Sequence, residues 1–514
     1  MSQTTNGGES ADDAEAQSRL GTGGAGLDSV LKGGFPANRL YLVEGDPGTG
    51  KTTLALQFLL EGVRRGEPVL YVTLSETKEE LTAVAHSHGW SLDGVTLHEL
   101  IPPEESLKTE SQYTIFHPSE VELGETTRAV IEQVERIQPR RVVFDSLSEM
   151  RLLARDPLRY RRQILALKQF FAGRKTTVLL LDDRTSTDAD LQVQSIAHGV
   201  LMLEQLELDY GAERRRLRVS KLRGSRFLGG FHDFAIKTGG IEVFPRLVAS
   251  GRGAEFEPGT VASGVRELDA LLGGGLDRGT ATLVLGPAGC GKSSLATHFA
   301  AASARRGERA AAFIFDEGVS TYMARAAGLG TDIGEEVAAG RMTVRQVDPA
   351  ELSPGELTHA ICEAVERDGA RLVIVDSLNG YMQAMPDDRF LMAQMHEMLT
   401  YLNQRGVVTL LVMAQHGFMG AAMSSPVDVS YLADTVVMLR YFEAAGSIRR
   451  AISVVKKRTG RHEDTIREMR LSASRGVEVG APLTGFRGVL TGVPVLTEGA
   501  GKNSALLGGE DDAH

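Results

Sequence analysis

One stretch of this sequence occurs twice. From Leu27 it reads LDSVLKGGFPANRLYLVEGDPGTGKTTLALQF, and from Leu268 it reads LDALLGGGLDRGTATLVLGPAGCGKSSLATHF, an offset of 268 − 27 = 241. The same offset carries Lys51 onto Lys292, Arg64-Arg65-Gly66-Glu67 onto Arg305-Arg306-Gly307-Glu308, and Glu76 onto Glu317. Four features at one spacing mean an internal repeat, so the chain is expected to fold as two copies of one domain. Its 514 residues are ample for two cores, and 42% hydrophobic with 24% charged residues is an ordinary globular balance.

Within each copy, short β-branched runs alternate with longer segments of helical period. RVVFDSL at Arg141–Leu147 and RLVIVDSL at Arg371–Leu378 are each followed by a helical stretch and a further apolar run, TTVLLLDD and VVTLLVMAQ. This alternation predicts βαβ units, hence an α/β class with a mostly parallel sheet flanked by helices in each copy. The Gly-rich, polar stretch ASGRGAEFEP at Ala249–Pro258 marks the seam. The expected layout is a first domain over 19–250, a linker over 251–258 and a second domain over 259–494. Residues 1–18 and 495–514 have the Gly-, Ser- and acid-rich composition of disordered ends.

Both copies carry the pattern G-x-x-x-x-G-K-[ST]. The first is Gly45-Asp46-Pro47-Gly48-Thr49-Gly50-Lys51-Thr52, with Thr53 following; the second is Gly286-Pro287-Ala288-Gly289-Cys290-Gly291-Lys292-Ser293, with Ser294 following. Glycines let such a loop turn so that backbone N–H groups converge on phosphate oxygens, and the next helix adds its positive N-terminal dipole. Lys51 and Lys292 are expected to reach the β- and γ-phosphates of ATP, and Thr52 and Ser293 to hold Mg²⁺. A Gly-rich structural turn is the plainer alternative, disfavoured because a strand precedes and a helix follows the pattern twice at one offset. Asp145 and Asp376 end apolar runs, where a carboxylate needs a partner; Mg²⁺ beside the phosphates supplies one, and a helix-capping role is the alternative. Glu76 and Glu317, at the end of the next strand, suit a carboxylate that orients or deprotonates the attacking group, against a solvated turn residue.

A formal net charge of −11 argues against a chain that neutralises a phosphate backbone, so nucleic acid is an unlikely partner and a DNA motor the weakest functional class. Arg214–Arg216 and Lys456–Arg458 are local basic exceptions. The two cysteines, Cys290 and Cys362, lie in separate segments and suggest no disulfide framework, which fits a reducing, cytoplasmic setting. No run of eighteen apolar residues occurs, so no membrane association is expected.

The repeat, the strand-end glutamates and the segment FMGAAMSSPVDVSYLADTVVMLRYFE together resemble the KaiC family, the circadian clock ATPases of cyanobacteria and their bacterial relatives, over roughly Leu20 to Pro494. The resemblance implies two tandem RecA-like P-loop domains, assembled as a homohexameric ring with Mg·ATP between neighbouring copies. It implies that a late Lys-x-Arg pair of each domain reaches the neighbour's nucleotide; the matching residues are Lys221-Leu222-Arg223 and Lys456-Lys457-Arg458, in register at 456 − 221 = 235. A solvated basic edge is the alternative for them. In the family the first domain hydrolyses ATP and the second phosphorylates a Ser and an adjacent Thr. Alignment on FMG and DTVVML places Ser430 at the Ser position and Tyr431 at the Thr position, which leaves single-site serine autophosphorylation, with Ser424 and Ser425 as nearby alternatives. The family's paired catalytic carboxylates become Ser75-Glu76 in the first copy and Asp316-Glu317 in the second, so the first is expected to hydrolyse and the second to act as the kinase, with Asp316 or Glu317 as base. His198 stands where the second copy has Asp434. The stretch APLTGFRGVLTGVP at Ala481–Pro494 looks like the family's C-terminal partner-binding loop, and a KaiB-like protein is the partner that the resemblance suggests for the first ring.

Overall fold

The structure is a computed structural model and describes residues 18–100, 118–154, 156–184, 191–207, 211–249, 256–383, 388–415, 431–444, 446–490 and 495–496. Ser424, Ser425 and Ser430 lie outside these residues, as do the expected disordered end over 1–17, linker positions 251–255 and tail positions 497–514. The chain divides into two compact units, with Arg246 the last residue of one and Leu247 the first of the other.

Each unit is built on a nine-stranded sheet. Numbering only the strands of these two sheets, the first unit contains β1 (Leu40–Gly45), β2 (Val69–Thr73), β3 (Val95–Glu99), β4 (Arg141–Asp145), β5 (Thr177–Asp183), β6 (Gly199–Leu206), β7 (Arg214–Leu222), β8 (His232–Lys237) and β9 (Gly240–Phe244). Their order is β9-β8-β7-β6-β1-β5-β4-β2-β3, parallel from β6 to β3 and antiparallel across β7, β8 and β9. The second unit contains β10 (Ala281–Gly286), β11 (Arg309–Ile314), β12 (Met342–Gln346), β13 (Ala370–Asp376), β14 (Val408–Ala414), β15 (Thr435–Ala444), β16 (Ser447–Lys457), β17 (Arg467–Ser472) and β18 (Gly476–Pro482). It repeats the same order, β12-β11-β13-β14-β10-β15-β16-β17-β18. The chain is thus α/β, with two tandem RecA-like domains.

The central strands are continuous apolar runs because both of their faces are covered. Tyr41 and Val43 pack with Leu54 and Phe58 of the helix Lys51–Arg64, while Leu40 and Leu42 pack on the other face with Ile164 and Leu167 of the helix Pro157–Phe171. In the second unit Val284 meets Leu295 and Phe299 of the helix Lys292–Arg305, and Leu283 and Leu285 meet Met398 and Leu402 of the helix Asp388–Asn403. Each such buried side chain contributes about 1.5–3 kcal/mol, and the sandwich fixes the strand ends on which the chemistry sits.

The basic cluster Arg214–Arg216 is part of a strand and not a free patch. Arg216 donates to Glu204 of the neighbouring strand at 2.8 Å. The guanidinium groups of Arg216 and Arg218 lie over the Phe231 ring at 4.0 and 5.2 Å. No helix among the described residues is long and apolar enough to cross a membrane.

Candidate functional site

β1 ends at Gly45, and the helix Lys51–Arg64 begins after a turn through Gly48 and Gly50, at φ of 82° and 97°. Both glycines lie in the left-handed region that a Cβ disfavours. A side chain at Gly45 would collide with Thr49 Oγ1 and with the Leu203 carbonyl. The Thr49 hydroxyl, buried, donates to the Asp46 carbonyl at 2.8 Å and holds the turn. The first N–H groups of a helix can be taken up by a side-chain cap, as Asp156 and Ser353 do elsewhere in this chain. Among the described residues no side chain caps Lys51–Arg64 or Lys292–Arg305, which leaves their leading N–H groups directed at the turn, as an anion-binding cradle requires.

In the first unit Lys51 is 8% exposed, and its ammonium donates to the Gly45 and Asp46 carbonyls at 2.8 and 2.9 Å and pairs with Asp183 Oδ1 at 2.7 Å. Thr52 Oγ1 lies 3.3 Å from Asp145 Oδ2, the same oxygen that accepts the Tyr71 hydroxyl at 2.5 Å. Burial raises the Asp145 pKa, against the hydrogen bond from Tyr71. Thr52 and Asp145 therefore present a hydroxyl and a carboxylate side by side, hard oxygen donors that suit Mg²⁺. Glu76 stands three residues past the end of β2, in a bend that Thr73 fixes: the Thr73 hydroxyl donates to the Glu76 carbonyl at 2.8 Å and accepts from its N–H at 2.9 Å. Glu76 Oε2 is buried without a hydrogen-bond partner among the described residues. Burial first, and then the charge of Asp145, pushes its pKa up to about 7.

The second unit repeats the backbone, with Gly289 and Gly291 at φ of 74° and 101°. Its polar contacts differ. The Lys292 ammonium donates to the Pro287 carbonyl at 2.7 Å and approaches Cys290 Sγ at 4.0 Å. Cys290 is fully buried, and burial raises its pKa. Ser293 hydrogen-bonds Asp376, whose pKa burial pushes up to about 6. Glu317 again stands three residues past a strand, β11, but Arg325 of the helix Val319–Gly328 grips it: Nη2 lies 2.6 Å and Nε 3.2 Å from Oε1, and Nη1 reaches Ser294 Oγ at 3.4 Å. Asp316 is exposed. The offset of 241 puts Val84 where Arg325 stands and Ala312 where Tyr71 stands, so neither contact has a counterpart in the other unit.

The Lys-x-Arg residues are not brought to their own cradles. Arg223 N donates to the His198 carbonyl and His198 N to that of Leu40, which places the pair level with the start of β1, whereas the cradle follows its end. Five residues of strand separate the two, roughly 16 Å. Lys221 Nζ donates to the Gln194 carbonyl at 2.6 Å and Arg223 Nη2 to that of Ser195 at 2.9 Å. Leu222 packs in the core and offers only its backbone. In the second unit Arg458 N donates to the Asp434 carbonyl and Asp434 N to that of Ala281, again at the far end of the sheet. Lys456 Nζ donates to the Ala433 carbonyl at 2.7 Å, and Arg458 Nη2 to that of Tyr431 at 2.9 Å. Asp434 pairs with Arg458 at 3.5 Å, while burial makes His198 less basic.

The structure brings Lys51, Thr52 and Asp145 together, and Lys292, Ser293 and Asp376 likewise, with Glu76 and Glu317 three residues beyond their strands; Tyr71, Asp183 and Arg325 are contacts that the sequence did not single out. The doubled aspartate closing TTVLLLDD was a visible signal, since carboxylates ending an apolar strand need a partner; Arg325 carried none.

The family model described as the KaiC ATPase matches this chain twice, over residues 20–248 and 261–484. The circadian clock oscillator protein KaiC of Picosynechococcus is 26% identical over 475 residues, 91% of each chain. That of Synechococcus elongatus is 27% identical over 479 residues, 91% of this chain and 90% of its own. The circadian clock protein KaiC3 of Synechocystis is 25% identical over 495 residues, 93% of this chain and 95% of its own. With a doubled sheet, a doubled cradle and a family match across both, the chain belongs to the KaiC family of ATPases.

Proposed function

We propose that the first unit hydrolyses ATP and that the second transfers a phosphoryl group to Ser430 of the chain. The copies form a ring, a homohexamer, in which Lys221 and Arg223, or Lys456 and Arg458, complete a neighbour's site. The observation that carries hydrolysis is Glu76. A half-buried carboxyl with a pKa near 7, one of its oxygens buried and unpartnered among the described residues, is poised to accept a proton from water at neutral pH. Lys51 and the loop N–H groups hold the phosphates. Thr52 with Asp145, and Ser293 with Asp376, are the residues that would hold Mg²⁺, which when bound offsets phosphate charge. The trans assignment is supported by the position of each Lys-x-Arg pair, at the end of its sheet opposite its own cradle. A slow hydrolase of this kind serves as a signalling or timing protein, with a KaiB-like protein as its partner class.

The Arg325 grip favours a second reading. With Glu317 engaged in a fork, the second unit holds ATP without transferring it, and the chain acts as a nucleotide-gated scaffold. Intact-mass measurement and peptide mapping after incubation with Mg·ATP separate the two. The expected result is one phosphate on Ser430, absent from Ser430→Ala, with ADP production that Glu76→Gln reduces at least about a hundredfold. ADP release from an unlabelled protein selects the scaffold, and full labelling of Ser430→Ala moves the acceptor elsewhere.

A further inference from the structure

A lysine ammonium has three N–H donors. At Lys51 all three are engaged, two by carbonyls of the cradle itself and one by Asp183 at 2.7 Å. Asp183 is in turn held by Ser148, whose hydroxyl donates to Asp183 Oδ2 at 3.2 Å and accepts from the Asp183 N–H at 3.1 Å. Its charge also acts on Asp145 and Glu76. The second unit lacks this arrangement. Strand register matches Asp183 opposite Gly45 with Ala414 opposite Gly286, and no carboxylate pairs with Lys292 among the described residues.

We propose that Asp183 is a built-in competitor for nucleotide phosphate at Lys51, so that the first cradle takes its ligand by exchanging one ion pair for another. The inference rests on the nucleotide-binding reading of the cradle and adds the residue that sets its affinity. A phosphate oxygen reaching Lys51 must displace a carboxylate already at hydrogen-bond distance. Once displaced, that carboxylate faces the phosphates beside Asp145 and Glu76. The binding-competent state is a minority of the free protein, and the apparent affinity falls by that fraction. The second cradle carries no such tax, which makes the two sites unequal in affinity although their loops are alike.

The test uses the full chain with Lys292→Ala to silence the second cradle. Its probe is the fluorescent N-methylanthraniloyl derivative of β,γ-imido-ATP, with Mg²⁺. Losing one charge-assisted contact corresponds to roughly tenfold in affinity, so Asp183→Asn is expected to bind the probe about ten times more tightly, and Asp183→Ala to move the same way. In the reciprocal background, Lys51→Ala, the substitution Ala414→Asp is expected to weaken the second cradle by a similar factor. Thermal melting without nucleotide checks that each variant is folded, and the Ala414→Asp arm decides the matter if the Asp183 variants are not. Binding that Asp183→Asn leaves unchanged or weakens overturns the inference alone; weakening would mean that Asp183 works on the side of the ligand. No probe binding in the Lys292→Ala parent overturns the nucleotide reading of the first cradle and this inference with it.

Discussion

Glu44 and Glu76 of the first unit are both held up to about 7 from an ordinary 4.5; at Glu44, on β1, burial outweighs the Gln194 amide, at 2.8 and 3.1 Å, and the charges of Arg184 and Arg151. A carboxyl whose folded pKa lies above its unfolded one keeps its proton longer in the folded state. Stability therefore falls as pH rises from about 4.5 to about 7 and stays reduced above that window. For Glu44 the full effect is on the order of 3 kcal/mol. Glu44→Gln is accordingly expected to melt several degrees above the parent at pH 8, and the gap to close as the pH approaches 4.5; equal melting curves at pH 8 would refute the assignment. At this scale the sequence was legible where function is local. Gly45 to Thr52 are neighbours in the chain, and their spacing states their chemistry. Asp183 and Arg325 act through contacts made only after folding, and a one-sequence reading has no access to those distances.

Among elements, the loop between β1 and the helix Lys51–Arg64 combines a left-handed residue with close packing. A Cβ on Gly50 would stand 2.7 Å from Ile236 Cδ1, at a φ of 97°. Gly50→Ala is expected to destabilise the first unit by about 1–2 kcal/mol from the backbone alone and to lose probe binding at that cradle. Urea denaturation and fluorescence titration check the two effects separately. The parallel strands were readable because a strand covered on both faces is a continuous apolar run. The antiparallel extension was not. Its leading strand, β7, reads as a charge cluster, since Arg214, Arg215 and Arg216 hide their role until Glu204 and Phe231 come alongside. The strand before Glu76 was expected to run on to that residue but ends at Thr73, because the hydrogen bonds between Thr73 and Glu76 that make the bend are a turn signal spread over only four residues.

For the whole molecule, the proposed assembly makes a site the joint property of two copies. Glu76→Gln disables the cradle that carries it, and Arg223→Ala disables the neighbour's. Each variant alone is expected to be inactive in hydrolysis, yet a mixture re-formed from both is expected to recover activity, since about a quarter of head-to-tail junctions then join an intact Glu76 to an intact Arg223. A mixture no more active than its parts would place Arg223 outside the neighbour's site. The repeat announced two domains, and Ser75-Glu76 against Asp316-Glu317 already set them apart in sequence; the pairing of Glu317 with Arg325, which the offset of 241 maps onto Glu76 and Val84, was not visible there.

The separation of each Lys-x-Arg pair from its own cradle has one more consequence. In the proposed ring, a surface that offers a cation at one end of its sheet and needs one at the other is directional, so copies would join in a single sense around a closed circuit. On that proposal a solitary copy keeps both cradles and lacks the cations that complete them. Turnover per molecule then depends on how many copies are present, and the protein's rate becomes a gauge of its own abundance.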